Sequence, residues 1–232
     1  MYFDPMYLVF MLPGLALSMW ASFKVKSTFR KYSEVRVQSG LSGAEAATEL
    51  LRRKGIFDVQ VEEVQGFLSD HYDPGAKMLR LSPDVYRGRS LAAMGVAAHE
   101  AGHAIQHATG YGPLWFRSLV VKPAQIGSNI GGILCAIGIG MASTKMVWAG
   151  VILFSAFVVF TLVTLPVEFN ASNRAVAVLE ETGMINRSEV GGTRAVLNAA
   201  AMTYVAGAIS AIMTLLYFLI RSGILGGNRD DD

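Results

Sequence analysis

Four apolar stretches limit this chain more than any other feature. They run from Tyr7 to Phe23, Ala124 to Ser143, Val147 to Pro166 and Tyr204 to Ile220. A bilayer crossing needs about 20 mostly apolar residues, and within lipid an isolated segment can satisfy its own backbone only as a helix. Composition agrees. The chain is 52% hydrophobic and 16% charged, against about 25% charged residues in ordinary soluble domains. A mainly α integral membrane protein with about four transmembrane helices is expected.

The spans are not equivalent. The third is unbroken by polar residues other than Ser155, Thr161 and Thr164. The second carries Ser128, Asn129 and five glycines. Of these, Gly127, Gly131 and Gly132 suit close helix contact, and Gly138 with Gly140 loosen the far half. The first stretch lacks a basic residue before it and a small-residue cleavage site after it, so an uncleaved span is expected rather than a removed signal. Cys135, the lone cysteine, lies in an apolar run and reads as a small buried hydrophobe. It excludes an intrachain disulfide and a cysteine-built zinc site.

Basic residues choose the orientation. Lys24, Lys26, Arg30, Lys31 and Arg36 follow the first span directly, whereas only Lys145 separates the second from the third. Placing residues 24–123 and 167–201 in the cytoplasm puts 17 of the 20 basic residues inside, as the positive-inside rule requires. Both termini then lie outside the membrane. The expected organisation is a first span (1–23), a small α+β cytoplasmic core (24–123), spans two and three (124–167), a cytoplasmic helical segment (168–201), a fourth span (202–221) and a polar tail (222–232). A net charge of +2 gives no reason to expect nucleic acid, and the expected surroundings are lipid.

Within the cytoplasmic core, Ser42 precedes Glu45 by three residues. This is the spacing of a capping box, and the apolar Ala46, Leu50 and Leu51 follow it to a stop at Gly55. Val59 to Val64 alternates as a strand does. A second strand, Lys77 to Ser82, follows the Asp73-Pro74-Gly75 turn and is expected at the sheet edge. From Ser90 a long alanine-rich helix runs to about His107.

That helix holds the chemistry. His99-Glu100-Ala101-Gly102-His103 is an H-E-x-x-H sequence. Residues i and i+4 share one helix face about 6 Å apart, which lets two imidazoles converge on one zinc ion. Glu100 then sits where it can act as general base. His107 continues the spacing, but from i to i+8 is ~12 Å on a straight helix. It is therefore expected beside the site rather than on the metal. Gly102 costs the helix about 1 kcal/mol against alanine, which implies a close approach of backbone or ligand there.

The third ligand must come from elsewhere. Glu168 stands just past Pro166 at the end of the third span, and the topology brings it to the side that holds His99 and His103. A helix restarting at Phe169 would present it. His71 and Tyr72, in "SDHYDP", are candidates to steady an oxyanion.

The set "AAHEAGHAIQHATGY", "SDHYDP" and "LPVEFNASNRA", in that order, resembles the YugP-like bacterial membrane zinc metallopeptidases, and the likeness extends to the "YFDP" start. It implies a gluzincin-like centre with one zinc ion per chain, held by His99, His103 and Glu168, with Glu100 as the base. One position departs. Such proteins read E-F-D-A-S where this chain has Glu168-Phe169-Asn170-Ala171-Ser172. An aspartate at 170 would accept bonds from a ligand imidazole or from Arg174, and asparagine accepts without the charge.

The function expected is zinc-dependent peptide-bond hydrolysis near the cytoplasmic membrane surface. The rivals are a membrane scaffold with structural zinc and a protease cutting inside the bilayer. The latter would need the histidine helix to be a span despite its polar residues.

Overall fold

The computed structural model describes residues 5–223, so the starting "YFDP", apart from its proline, and the tail beyond Gly223 lie outside the described residues. In chain order the elements are α1 (Pro5–Ser33), α2 (Gly43–Arg53), β1 (Gln60–Glu63), β2 (His71–Asp73), β3 (Met78–Leu81), α3 (Pro83–Tyr86), α4 (Leu91–Ala108), α5 (Gly112–Ile126), a π-helical turn (Gly127–Gly131), α6 (Gly132–Gly140), α7 (Thr144–Glu181) and α8 (Arg187–Arg221). Among the described residues, four continuous helical stretches are long and apolar enough to cross a membrane: Pro5–Ser33, Gly112–Gly140, Thr144–Glu181 and Arg187–Arg221.

These helices outrun the apolar stretches that announced them. α1 continues ten residues past Phe23 and carries Lys24, Lys26, Arg30 and Lys31 on its own last turns, with Arg36 just beyond it. α7 has 38 residues, about 57 Å at 1.5 Å per residue, nearly twice the thickness of a hydrocarbon core. It passes through Pro166 without a break, so no helix restarts at Phe169. Residues 168–201 are the end of α7, a turn, and the start of α8. Proline lacks only its own N–H and crowds the carbonyl four residues back. A long helix absorbs that defect.

The chain forms two compact units, each assembled from separated segments. Among the described residues, one comprises 5–20, 116–165 and 203–223. Its buried apolar cluster includes Cys135, Val147, Val151, Phe154, Tyr217 and Phe218. Gly127 and Gly131 face α7 so closely that a Cβ on either would meet Leu153 O at 2.0 Å or Phe154 N at 2.7 Å. Gly132, expected to share this contact, faces open space.

The other unit comprises residues 21–115 and 166–202. Its core joins Leu50 and Leu51 of α2, Leu79 and Leu81 of β3, Met94 and Ala97 of α4, and Val176 and Leu179 of α7. The capping box forms as its spacing predicts. Ser42 Oγ accepts from Glu45 N, and the Glu45 carboxylate accepts from Ser42 N at 2.7 Å. The sheet order is β1-β3-β2, with β1 parallel and β2 antiparallel to β3. β3, expected at the edge, is therefore the central strand. Its Leu79 and Leu81 are fully buried, as a strand flanked on both sides allows.

Candidate metal centre

α4 begins where Ser90 Oγ accepts from Ala93 N, and it ends at Thr109 before Gly110, whose φ is +61°. Its alanines bury against the core, and no residue between Leu91 and Ala108 interrupts it. His99 and His103 therefore stand one turn apart on the same face. Their ring centroids are 4.7 Å apart and the rings are nearly perpendicular. Glu168, from α7, points between them. Its Oε2 lies 3.1 Å from His99 Nε2 and 3.5 Å from His103 Nε2.

Metal chemistry fits this geometry. One ligand atom from each of the three residues can be chosen so that all lie within 4.8 Å of one another. Tetrahedral zinc with bonds of 2.0–2.1 Å asks for ligand atoms ~3.3 Å apart, between the two observed separations. Two imidazoles and one carboxylate are the donor set of an open, catalytic zinc site rather than a closed structural one. Glu168 is only 2% exposed, and a carboxylate so placed needs positive charge or donors around it.

Gly102 explains how the two helices come so close. A Cβ there would lie 2.7 Å from the carbonyl oxygen of Ala171. The approach is thus to backbone, on the turn of α7 that carries Glu168.

Around these three residues lies a layer of polar partners. Gln106 is fully buried, with Oε1 3.0 Å from His103 Nδ1 and Nε2 donating to Val167 O at 2.8 Å and to Asn170 Oδ1 at 3.0 Å. Asn170 Oδ1 also accepts from Arg174 Nε at 2.8 Å, and the Arg174 guanidinium sits 5.6 Å from the Tyr111 ring centre. Asn170 therefore touches Arg174 as its position suggests, but it reaches the ligand imidazole through Gln106 instead of directly. Ser172 Oγ lies 3.1 Å from His99 Nδ1. Burial works against charge on the His103 ring, yet Glu168, Glu100 and Gln106 outweigh it and raise its pKa above the ordinary imidazole value.

Glu100 is buried beside the first histidine, and among the described residues nothing hydrogen-bonds its carboxylate. Asp70 lies near enough to feel its charge. Burial pushes the Asp70 pKa up and Glu100 adds to the rise, against the bonds from Ser82 that favour the ionised form.

His107 is exposed and outside the metal cluster. Its Nδ1 lies 2.9 Å from the Tyr72 hydroxyl, so two residues singled out separately in the sequence meet each other. Burial, with the charges of Asp58 and Asp73, raises the Tyr72 pKa and keeps the phenol neutral. His71 is exposed on β2, with Nδ1 2.8 Å from Ser69 O.

The residues missed by sequence reading are Gln106 and Ser172. Each had a signal. Gln106 lies three residues past His103 in an otherwise apolar turn, and Ser172 lies four past Glu168. Those spacings put each on the face of its neighbouring ligand.

A family model described as "Putative neutral zinc metallopeptidase" matches residues 7–223. A protein named "Putative membrane protease YugP", from Bacillus subtilis (strain 168), is 46% identical over 227 residues, which cover 98% of this chain and all of that one. No solved structure matches.

Proposed function

Since the chain belongs to the neutral zinc metallopeptidase family, we propose that it is a membrane-embedded endopeptidase that hydrolyses peptide bonds near the cytoplasmic membrane surface. The observation that carries this reading is the convergence of His99, His103 and Glu168, with the unengaged carboxylate of Glu100 one residue from the first ligand. His99 Nε2, His103 Nε2 and a Glu168 oxygen would hold one zinc ion per chain. A zinc ion there acidifies water and polarises the carbonyl it faces.

Glu100 supplies the proton chemistry. Its carboxylate takes the proton of the attacking water and later delivers it to the leaving amine. Tyr72, kept as a neutral phenol, is the donor proposed to steady the oxyanion, with His107 holding its hydroxyl. His71, on the exposed edge strand β2, is the second candidate and would also meet an extended peptide laid along that edge. The cytoplasmic side rests on the distribution of basic residues. Substrates proposed on that placement are membrane-protein segments and peptides close to the bilayer.

The test is Glu100→Gln in the full chain, purified in detergent. Zinc content should stay at one per chain while cleavage of a membrane-protein substrate falls by roughly 10²–10⁴-fold. Cleavage at the parental rate in that variant would rule Glu100 out as the base. A zinc-loaded parent whose function in cells survives the substitution unchanged would favour a structural metal in a scaffold.

A further inference from the structure

Two residues near the ligands have a chemistry that leaves no choice of orientation. Val167 O can only accept a hydrogen bond, so the Gln106 atom 2.8 Å from it must be the amide nitrogen. Arg174 Nε can only donate, so the Asn170 atom facing it must be the carbonyl oxygen. That same oxygen lies 3.0 Å from the Gln106 nitrogen, and the two deductions agree. Gln106 Oε1 must then face His103 Nδ1, and an oxygen there can only accept. His103 Nδ1 therefore carries the proton, and the neutral ring presents the Nε2 lone pair on the side of Glu168.

At His99 the contrast lies in the Nδ1 partner alone, since Nε2 faces the Glu168 carboxylate at 3.1 Å. Its Nδ1 faces the Ser172 hydroxyl, which donates or accepts by rotating. The two histidines of the motif, alike in sequence, differ in how firmly the partner at Nδ1 defines them.

We propose that Gln106 is a positioning residue that fixes His103 in its Nδ1-protonated tautomer, anchored from α7 by Val167 O and by Asn170 held on Arg174. This rests on the metal-site reading and deepens it, because it assigns a role to a fully buried glutamine that neither ligates nor reacts. It also gives Asn170 a function that needs no charge. What the relay needs at 170 is an acceptor, and asparagine provides one.

The experiment uses the full chain in detergent, with histidine labelled at both ring nitrogens. The chain has four histidines, so two-bond nitrogen–proton correlation spectra resolve each ring. In metal-free protein at a pH where the ring is neutral, His103 should be uniformly Nδ1-protonated. Gln106→Leu should turn it into a tautomer mixture and weaken zinc binding, measured by chelator competition, roughly 10–100-fold, the range for losing an outer partner of a metal ligand. The absorption bands of cobalt placed in the site should shift in the same variant.

Asn170→Leu removes one of the two anchors on Gln106 and is the milder variant should Gln106→Leu fail to fold. It should weaken zinc by roughly 3–10-fold, about half the effect in free energy. Asn170→Asp, which keeps the acceptor, should bind zinc at least as tightly as the parent. Ser172→Ala should leave the His103 tautomer untouched.

The proposal is overturned if His103 is Nε2-protonated or mixed in the parent, or if the Gln106 and Asn170 variants keep both the tautomer and the affinity. A parent that binds no zinc would defeat the metal-site reading alone, since the tautomer is read without metal.

Discussion

Gly102→Ala tests the spacing of the two ligand-bearing helices with one methyl group. The added Cβ would sit 2.7 Å from Ala171 O, about 0.7 Å short of an ordinary 3.4 Å contact. Neither atom is the end of a flexible side chain, so one backbone must give way to the other. Ala171 lies three residues from Glu168 and next to Ser172, so a retreat of α7 carries the third ligand with it. Zinc tolerates ligand distances within about 0.2 Å of its preferred values, and the required shift is several times that.

The fold itself suffers less than the site. Alanine recovers about 1 kcal/mol of helix propensity, and overpacking costs about 1–3 kcal/mol, so the metal-free protein should lose at most about 2 kcal/mol. Zinc affinity should fall about 100-fold, at the upper end of the range for disturbing ligand support. At zinc concentrations near 100 times the parental Kd, the stabilisation by metal would shrink from about 2.7 to about 0.4 kcal/mol. The assay is thermal unfolding in detergent with and without zinc, joined to a competition measurement of Kd. Gly191→Ala, where nothing stands within 4 Å of the new Cβ, is the control and should bind zinc like the parent. If Gly102→Ala binds within twofold of the parent, the close approach does not set the ligand geometry and the reasoning is refuted.

Other outcomes follow from the same site and core. Glu168→Ala should lose most bound zinc, and retention of full occupancy would return the third-ligand role to His107 or another carboxylate. Because the His103 pKa is raised above 6.5 in the metal-free fold, its contribution to metal-free stability is fully present below pH 6.5 and is lost as pH rises through the folded value. Zinc binding has the opposite sign, since the ring must be deprotonated: affinity should climb with pH through that window. Denaturation of metal-free protein and zinc titrations at pH 6 and 8.5 check both signs. Ser42→Ala, which removes the cap on α2, should cost about 0.5–2 kcal/mol and lower Tm without changing zinc affinity.

The sequence made local and periodic features readable. Hydropathy marked the four apolar segments, and the i, i+4 rule put two imidazoles on one face. The Ser42–Glu45 spacing announced a cap that forms with both reciprocal bonds. Features set by non-local pairing were not readable. β3 became central because β1 pairs in parallel from the other side, a choice the alternation of a short strand does not encode. Pro166 looked like a boundary because its missing N–H is local information. The helix continues through it because neighbouring turns compensate, as in other long apolar helices. Gln106 was hidden for a related reason. One polar residue in an apolar turn gains meaning only when Val167 and Asn170 arrive from 61 and 64 residues away.

The division of the second unit into residues 21–115 and 166–202 has a consequence for synthesis. Both histidines and Glu100 leave the ribosome at least 65 residues before Glu168, with the whole glycine-rich helical stretch and most of α7 between them. At about 5–20 residues per second, that interval lasts ~3–13 s. A nascent chain in that window carries Glu100 and the two imidazoles of the cluster but lacks the Glu168 carboxylate that lies between them. The order of residues along the chain thus acts as a timer, delaying the complete donor set until the two apolar segments before Glu168 have been made.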